Sequence, residues 1–272
     1  MERARRRALF VVITGLATIV SVVVMVTMAG KEVPPHKIPN DSGLHSTMLW
    51  FELAYTPQEI FDNLGPIDSP HGATRRLHLD VTNKYDYGFM VCYSLFNAAL
   101  IYLVTHLNVY RLKSLIKLRV FLVFGLLLCV AMLVGDIVEN MQLLELTKSL
   151  SVEDIERTNL MANLVYWTRI KWGAIFVACL MLSAGYASYF RRIPTLLLPA
   201  VYAVAGISGL IAISLADTRI VMEMLSTRAI AVAWTASLLH AGLVVVRGPV
   251  GFPLPDHLRV RHATVGEADA QA

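Results

Sequence analysis

Cysteine is scarce in this chain, three among 272 residues, and Cys92, Cys129 and Cys179 each stand alone inside a different apolar block. No C-x-x-C pair exists, which argues against a disulfide exchanger and against a thiolate metal site and leaves the thiols as small apolar fillers. Charge is scarce as well: Asp, Glu, Lys and Arg make up 16% of the residues, too few for the surface of an ordinary soluble protein. There is no Walker A lysine loop and no H-E-x-x-H pair. Period-two alternation over a series of segments, which a transmembrane barrel requires, is also missing.

What is present is hydrophobic sequence in blocks. Six of them, at 8–29, 88–107, 120–141, 172–190, 194–215 and 226–246, come near the roughly 20 residues that a helix needs to cross about 30 Å of hydrocarbon. The pattern predicts an all-α integral membrane protein, a six-transmembrane-helix bundle with an interfacial helical segment on its outer face. Its expected parts are an anchor helix at 1–30, a lid segment at 31–87, a five-helix bundle at 88–247 and a disordered tail at 248–272. The apolar run from Ala8 to Met28 exceeds a usual signal core, so the first block reads as a retained anchor.

Arginine and lysine set the expected orientation. Arg3, Arg5, Arg6 and Arg7 precede the first block; Arg111, Lys113, Lys117 and Arg119 fill the second link; Arg191 and Arg192 mark the fourth; Arg247, Arg259 and Arg261 follow the last. With six spans these all fall on one side, which the positive-inside rule places in the cytoplasm with both termini. The modest positive charge is then a topological signal, and it argues against a nucleic-acid partner.

The lid segment begins with Pro34, Pro35 and Pro39, then turns apolar and aromatic from Met48 to Tyr55. That run is too short to span and predicts an interfacial helix with Trp50 and Tyr55 at headgroup depth. Thr56, Pro57 and Glu59 supply a cap, a first-turn proline and a capping-box acid, so a second short helix should run to about Leu64 and stop at Gly65-Pro66. After the third block, Ser151 and Asp154 cap a helix expected to run unbroken from about Val152 to Phe190. Small residues at i, i+4 mark expected helix contacts: Ala174 with Ala178, Ala184 with Ser188, Ala205 with Gly209, Ala229 with Ala233.

Function is sought where charge interrupts an apolar run, because a carboxylate there persists only if it pairs, reaches water or does work. Asp136, Glu139 and Asn140 lie at i, i+3, i+4 and share one helix face. Asp86, Tyr93 and Asn97 form a second polar stripe one helix earlier, while Arg169 and Lys171 bring cations to comparable depth with Trp167 and Trp172. These eight, Asp86, Tyr93, Asn97, Asp136, Glu139, Asn140, Arg169 and Lys171, are the expected ligand-binding set. A bland reading stands beside it, in which they are headgroup-level charges that cap helix ends.

Other motifs were weighed. Gly206-Ile207-Ser208-Gly209 and His240 imitate a rhomboid protease in outline, but only 32 residues separate serine and histidine, and Ser208 reads as a packing residue. His71, His78 and Asp80 read as a solvated loop rather than metal ligands, so no metal or other cofactor is expected. Nothing among the motifs decides for or against an enzyme.

The residues Phe51-Glu52-Leu53-Ala54, Asp86 with Tyr93, Gly135-Asp136-x-x-Glu139-Asn140 and Lys171, spread over 48–190, resemble a pattern of uncharacterised small bacterial polytopic membrane proteins. The resemblance implies a bacterial inner-membrane setting and no particular activity. The resulting expectation is a protein that binds a lipid headgroup or small amphiphile at the outer leaflet. A structural or assembly subunit and a proton- or cation-coupled transporter or channel are the alternatives. Membrane lipids are the expected partners, with a homo-oligomer or larger complex left open.

Overall fold

A computed structural model describes residues 2–31, 43–108, 115–189, 197–215 and 218–248. The expectations for the proline-rich stretch 34–39, for Arg111, Lys113, Arg191 and Arg192, and for the tail from residue 249 onward lie outside these residues. Every regular element among them is helical: α1 Glu2–Ala29, α2 Thr47–Glu52, α3 Pro57–Leu64, α4 Pro70–Leu107, α5 Leu115–Leu146, α6 Val152–Glu156, α7 Leu160–Tyr189, α8 Leu197–Ser214, α9 Arg219–Val221 and α10 Thr227–Arg247. A π-helical turn, Met222–Ser226, joins α9 to α10, so the two act as one long rod with a local change of phase.

Six of the rods are long and apolar enough to cross a membrane: α1, α4, α5, α7, α8 and the α9–α10 rod. The chain is an all-α polytopic membrane protein. Neighbours in space follow a closed ring, α1 to α4 to α5 to α7 to α8 to α10 and back to α1, with α4 also touching α7. Small residues set the closest approaches. Ala174, Ala178, Ala205, Ala229 and Ala233 are buried, and a side chain added at Gly209 would run into the Phe176 ring. Ala184 and Ser188 face outward instead, so that pair marks no helix contact.

The second spanning helix differs most from expectation. It begins at Pro70, not near residue 88, so the expected boundary between lid and bundle falls inside one helix. At 38 residues its length is about 57 Å, well beyond the hydrocarbon layer. Residues 70–87 looked like a loop because they are polar, yet Ser69 caps the helix by accepting from Gly72 N–H and Pro70 opens its first turn. His71, His78 and Asp80 therefore stand on a helix, and His78 Nδ1 lies 3.2 Å from the carbonyl oxygen of Ala29 at the end of α1.

The helix expected from Val152 onward is broken. Ser151 and Asp154 form a full capping box on α6, which ends after five residues before α7 starts at Leu160. The short turn buries Ile155 completely beneath the lid, and burial of that side chain offsets the interrupted helix.

Two apolar cores result. One fills the spanning bundle; the other lies outside it, where Phe51, Ile60 and Leu64 of the lid meet Leu79, Leu143, Leu146, Ile155 and Leu164. Both short lid helices form, α3 with the expected Thr56 cap and α2 with Ser46 accepting from Leu49 N–H. Their apolar face meets protein rather than lipid: Trp50, Phe51, Ile60 and Leu64 are at most 2% exposed. Two buried arginines of α4 hold the lid down. Arg75 donates to Asn63 O at 2.9 Å and lies over the Trp50 ring, while Arg76 donates to Gly65 O, Thr147 O and Ser149 O at the ends of α3 and α5. Free carbonyls at helix C-termini are where a guanidinium is most useful.

Candidate functional site

Between the two cores lies a polar layer. On α4, Leu79 belongs to the outer core and Met90 to the inner one, with Asp86 between; on α5, Asp136 and Glu139 separate Met132 from Leu143; on α7, Thr168 and Lys171 separate Leu164 from Ala174. Lys171 is the hub. Its Nζ stands 2.6 Å from Glu139 Oε2, 2.9 Å from Glu52 Oε2 and 3.1 Å from Asp136 Oδ1. An ammonium has three hydrogens, and three carboxylates stand within ion-pairing distance of this one, with Glu52 as its hydrogen-bond acceptor.

Gly135 makes the hub reachable. A Cβ placed there would come within 3.0–3.2 Å of the Lys171 backbone and its Cβ, so only glycine lets α5 approach α7 closely enough for two of its acids to share one lysine.

Other donors reach the same acids. Tyr93 OH donates to Asp136 Oδ2 at 2.7 Å, Thr168 Oγ1 lies 3.0 Å from Glu139 Oε1, and Trp172 Nε1 donates to Glu52 Oε2 at 3.3 Å. Asn140 Nδ2 donates to Asp86 Oδ2 at 2.8 Å. Asp86 is 8% exposed and forms no ion pair among the described residues. Beside it the Asn83 amide is fully buried, with neither its oxygen nor its nitrogen hydrogen-bonded among the described residues.

Three carboxylates thus surround one ammonium, and a fourth, Asp86, lies in the same layer. Glu139 is 0% exposed and Asp136 3%, far from the water that would stabilise unpaired charge. One lysine neutralises one acid, so protons or a cation from outside the chain must balance the rest.

Asp86, Tyr93, Asp136, Glu139, Asn140 and Lys171 converge as the sequence suggests. Arg169 does not: it is exposed and its guanidinium sits 5.8 Å from the Tyr55 ring. Two residues along a helix is a turn of about 200°, so Arg169 and Lys171 cannot both face α5. Asn97 shares the buried face of α4 but lies inward of the layer and donates to Tyr93 O at 2.9 Å. Glu52 and Thr168 were missed. Glu52 sits among aromatic residues that suggested a lipid surface; its signal was a charge inside an apolar run, the same one that marked Asp136.

A cavity of about 560 Å³ reaches this layer. Glu52, Asp86, Tyr93, Asp136, Lys171 and Trp172 line its polar end, and the rest of its wall is mostly apolar, from α1, α4 and α10 with Met48 and Leu49 of the lid and Ile175 of α7. The cause is the course of α1. Its buried residues all lie at or before Thr18; beyond it Ile19 and Val23 line the cavity and are more than half exposed, before the helix meets α4 again at Ala29.

Ser208 shares its hydroxyl with Ser226 at 2.9 Å, and His240 packs against the Tyr186 and Tyr189 rings; both serve packing. Among the described residues no group of three or more His, Cys, Asp or Glu side chains is arranged to hold a metal ion. No family model, curated protein or solved structure matches the chain.

Proposed function

We propose that the protein binds an amphiphile from the outer leaflet, with the tail between α1 and α10 and the head at the Lys171 layer. The observation that carries this reading is the cavity itself, mostly apolar and ending on buried charge. Its volume, about 560 Å³, lies in the usual range for small-molecule sites, roughly 300–1,000 Å³. A path across the membrane has less support: inward of Asp136 and Lys171, the buried residues of α5 and α7 include Cys129, Met132, Ile175, Phe176, Cys179 and Leu182. Ion pathways need polar groups along their length.

The setting we propose is a bacterial cytoplasmic membrane, with both termini inside and the Lys171 layer facing out. The arginines of the first helix support it. In a background without cysteine, Ser151→Cys should react with an impermeant thiol reagent on intact cells and Arg6→Cys should not; the reverse result overturns the orientation.

Two of the four tryptophans, Trp172 and Trp234, line the cavity, so a brominated single-chain amphiphile that enters should quench their fluorescence. The reading expects a saturable quenching component in the purified protein. It should vanish in Ala231→Phe, which fills the cavity from α10. Quenching that never saturates, or that Ala231→Phe leaves intact, would favour a purely structural polar layer.

A further inference from the structure

Resting on that amphiphile site, we propose that the head it selects is a cationic amine, on a single hydrocarbon chain. An anionic head finds no unpaired cation there. Among the described residues Lys171 is the one cation lining the cavity, and it is already ion-paired with Glu52, Asp136 and Glu139. A phosphate or sulfate would instead meet the carboxylates of Glu52, Asp86 and Asp136 at close range, and repulsion between like charges is strong where water is excluded.

An ammonium meets the opposite conditions. Asp86 lines the cavity, is more than nine-tenths buried, and has an uncharged partner, Asn140, but no ion-pair partner among the described residues. A bound amine would give it one, and would bring the layer of four acids and one lysine closer to neutrality. The aromatic residues at that end add a second attraction. Tyr93 stacks on Trp234 with ring centroids 5.9 Å apart, Phe89 packs on Tyr93 at 5.1 Å, and all three line the cavity. Ring faces attract cations, most strongly where solvent is sparse. The layer already holds one such contact: Lys171 Nζ lies 5.0 Å from the centre of the Trp172 ring.

The tail is assigned to one chain because of the walls. Thr18 and Val22 of α1 face Ile230 and Leu238 of α10 across the space, and a volume of about 560 Å³ suits one compact ligand rather than a two-chain lipid.

The test uses the purified full-length protein in non-ionic detergent with three brominated probes of identical tail: a primary alkylamine, the alcohol and the alkyl sulfate. Ala231→Phe supplies the background from partition into micelles. The amine should half-saturate tryptophan quenching at a concentration at least about tenfold below the alcohol, the scale of one charge-assisted hydrogen bond, and the sulfate should show no saturable component. Asp86→Asn should shrink the amine's advantage to less than about threefold. If the alcohol or the sulfate matches the amine on the wild-type protein, the amine assignment fails while the amphiphile site stands. An unchanged amine advantage in Asp86→Asn overturns it too. If no probe saturates, the site itself is overturned. Should Asp86→Asn fail to fold, the wild-type ranking of the three heads still decides.

Discussion

Two carboxylates seven residues apart on the lid, Glu52 and Glu59, each reach a cation of the bundle, and they do so in different company. Glu59 Oε1 takes one hydrogen bond of 2.7 Å from Arg219, while its other oxygen accepts from Tyr55 N–H at 2.6 Å. Arg219 also donates to Leu53 O at 2.9 Å. One acid meets one base, both partly open to solvent, and the arrangement suffices to hold a lid. Glu52 reaches Lys171 in the buried layer, where Asp136 and Glu139 share the same ammonium and Asp86, held by Asn140, has no ion-pair partner among the described residues. A tether does not need four acids. What the lid requires of a salt bridge is present at Arg219, and the surplus charge at Lys171 is what the amphiphile reading explains.

The largest expected effect comes from removing the hub. Lys171→Met should destabilise the protein by about 3–5 kcal/mol, because breaking a buried pair strands the carboxylates left behind. Adding Glu139→Gln to that variant should restore about 0.5–3 kcal/mol, the range of coupling between groups in contact. Denaturation in a mixed-micelle SDS titration measures both. Strict additivity would mean that these acids are independent, and the contrast with Arg219 would then disappear.

Next in size is the glycine that positions the hub. Gly135→Ala puts a methyl against the Lys171 backbone and should cost about 1–3 kcal/mol through overpacking. Gly88→Ala meets nothing within 4 Å and should stabilise α4 by about 0.4–1 kcal/mol. A pair of equal effects in the same titration would show that α5 and α7 tolerate separation, and that the three-way sharing of Lys171 is looser than the distances indicate.

The spanning helices, the short lid helices and most of the polar layer were legible because each rests on a local rule. A charge inside an apolar run is conspicuous, and i, i+3, i+4 spacing places Asp136, Glu139 and Asn140 on one face before any tertiary contact is known. The polar start of α4 was not legible. Arg75, Arg76 and Asn83 look like solvated residues until α3 and the end of α5 supply carbonyls and apolar cover from far along the chain. Glu52 was hidden by its neighbours for a related reason: Trp50 and Phe51 suit a membrane surface as well as a protein core, and periodicity carries no information about which of the two they meet. The cavity depends on looser packing of α1 beyond Thr18, and its valine-rich sequence reads the same whether it packs closely or not.

The smallest expected effect, and the cleanest contrast between the two tethers, is that of acid on Glu59. Partial burial pushes its carboxyl upward, but hydrogen bonds from Arg219 and from the Tyr55 N–H, with the charge of the guanidinium, outweigh that and hold it below the ordinary value of 4.5. A carboxyl held low in the folded state contributes stability above its unfolded value and loses it as pH falls through the folded one. The Glu59 tether should therefore be whole at neutral pH, weaken only below 4.5, and be worth less than about 1 kcal/mol because the pair is partly solvated. Hydrogen exchange of the amides at 53–64, corrected for intrinsic rates, should show the wild type converging on Glu59→Gln as the pH drops through that window, with the two clearly separate at about pH 6. Convergence already at neutral pH would mean that Arg219 holds the lid through Leu53 O alone. A wild-type advantage that persists well below the window would mean that Glu59 acts by shape rather than charge, and the lid would then rest on the buried layer at Glu52.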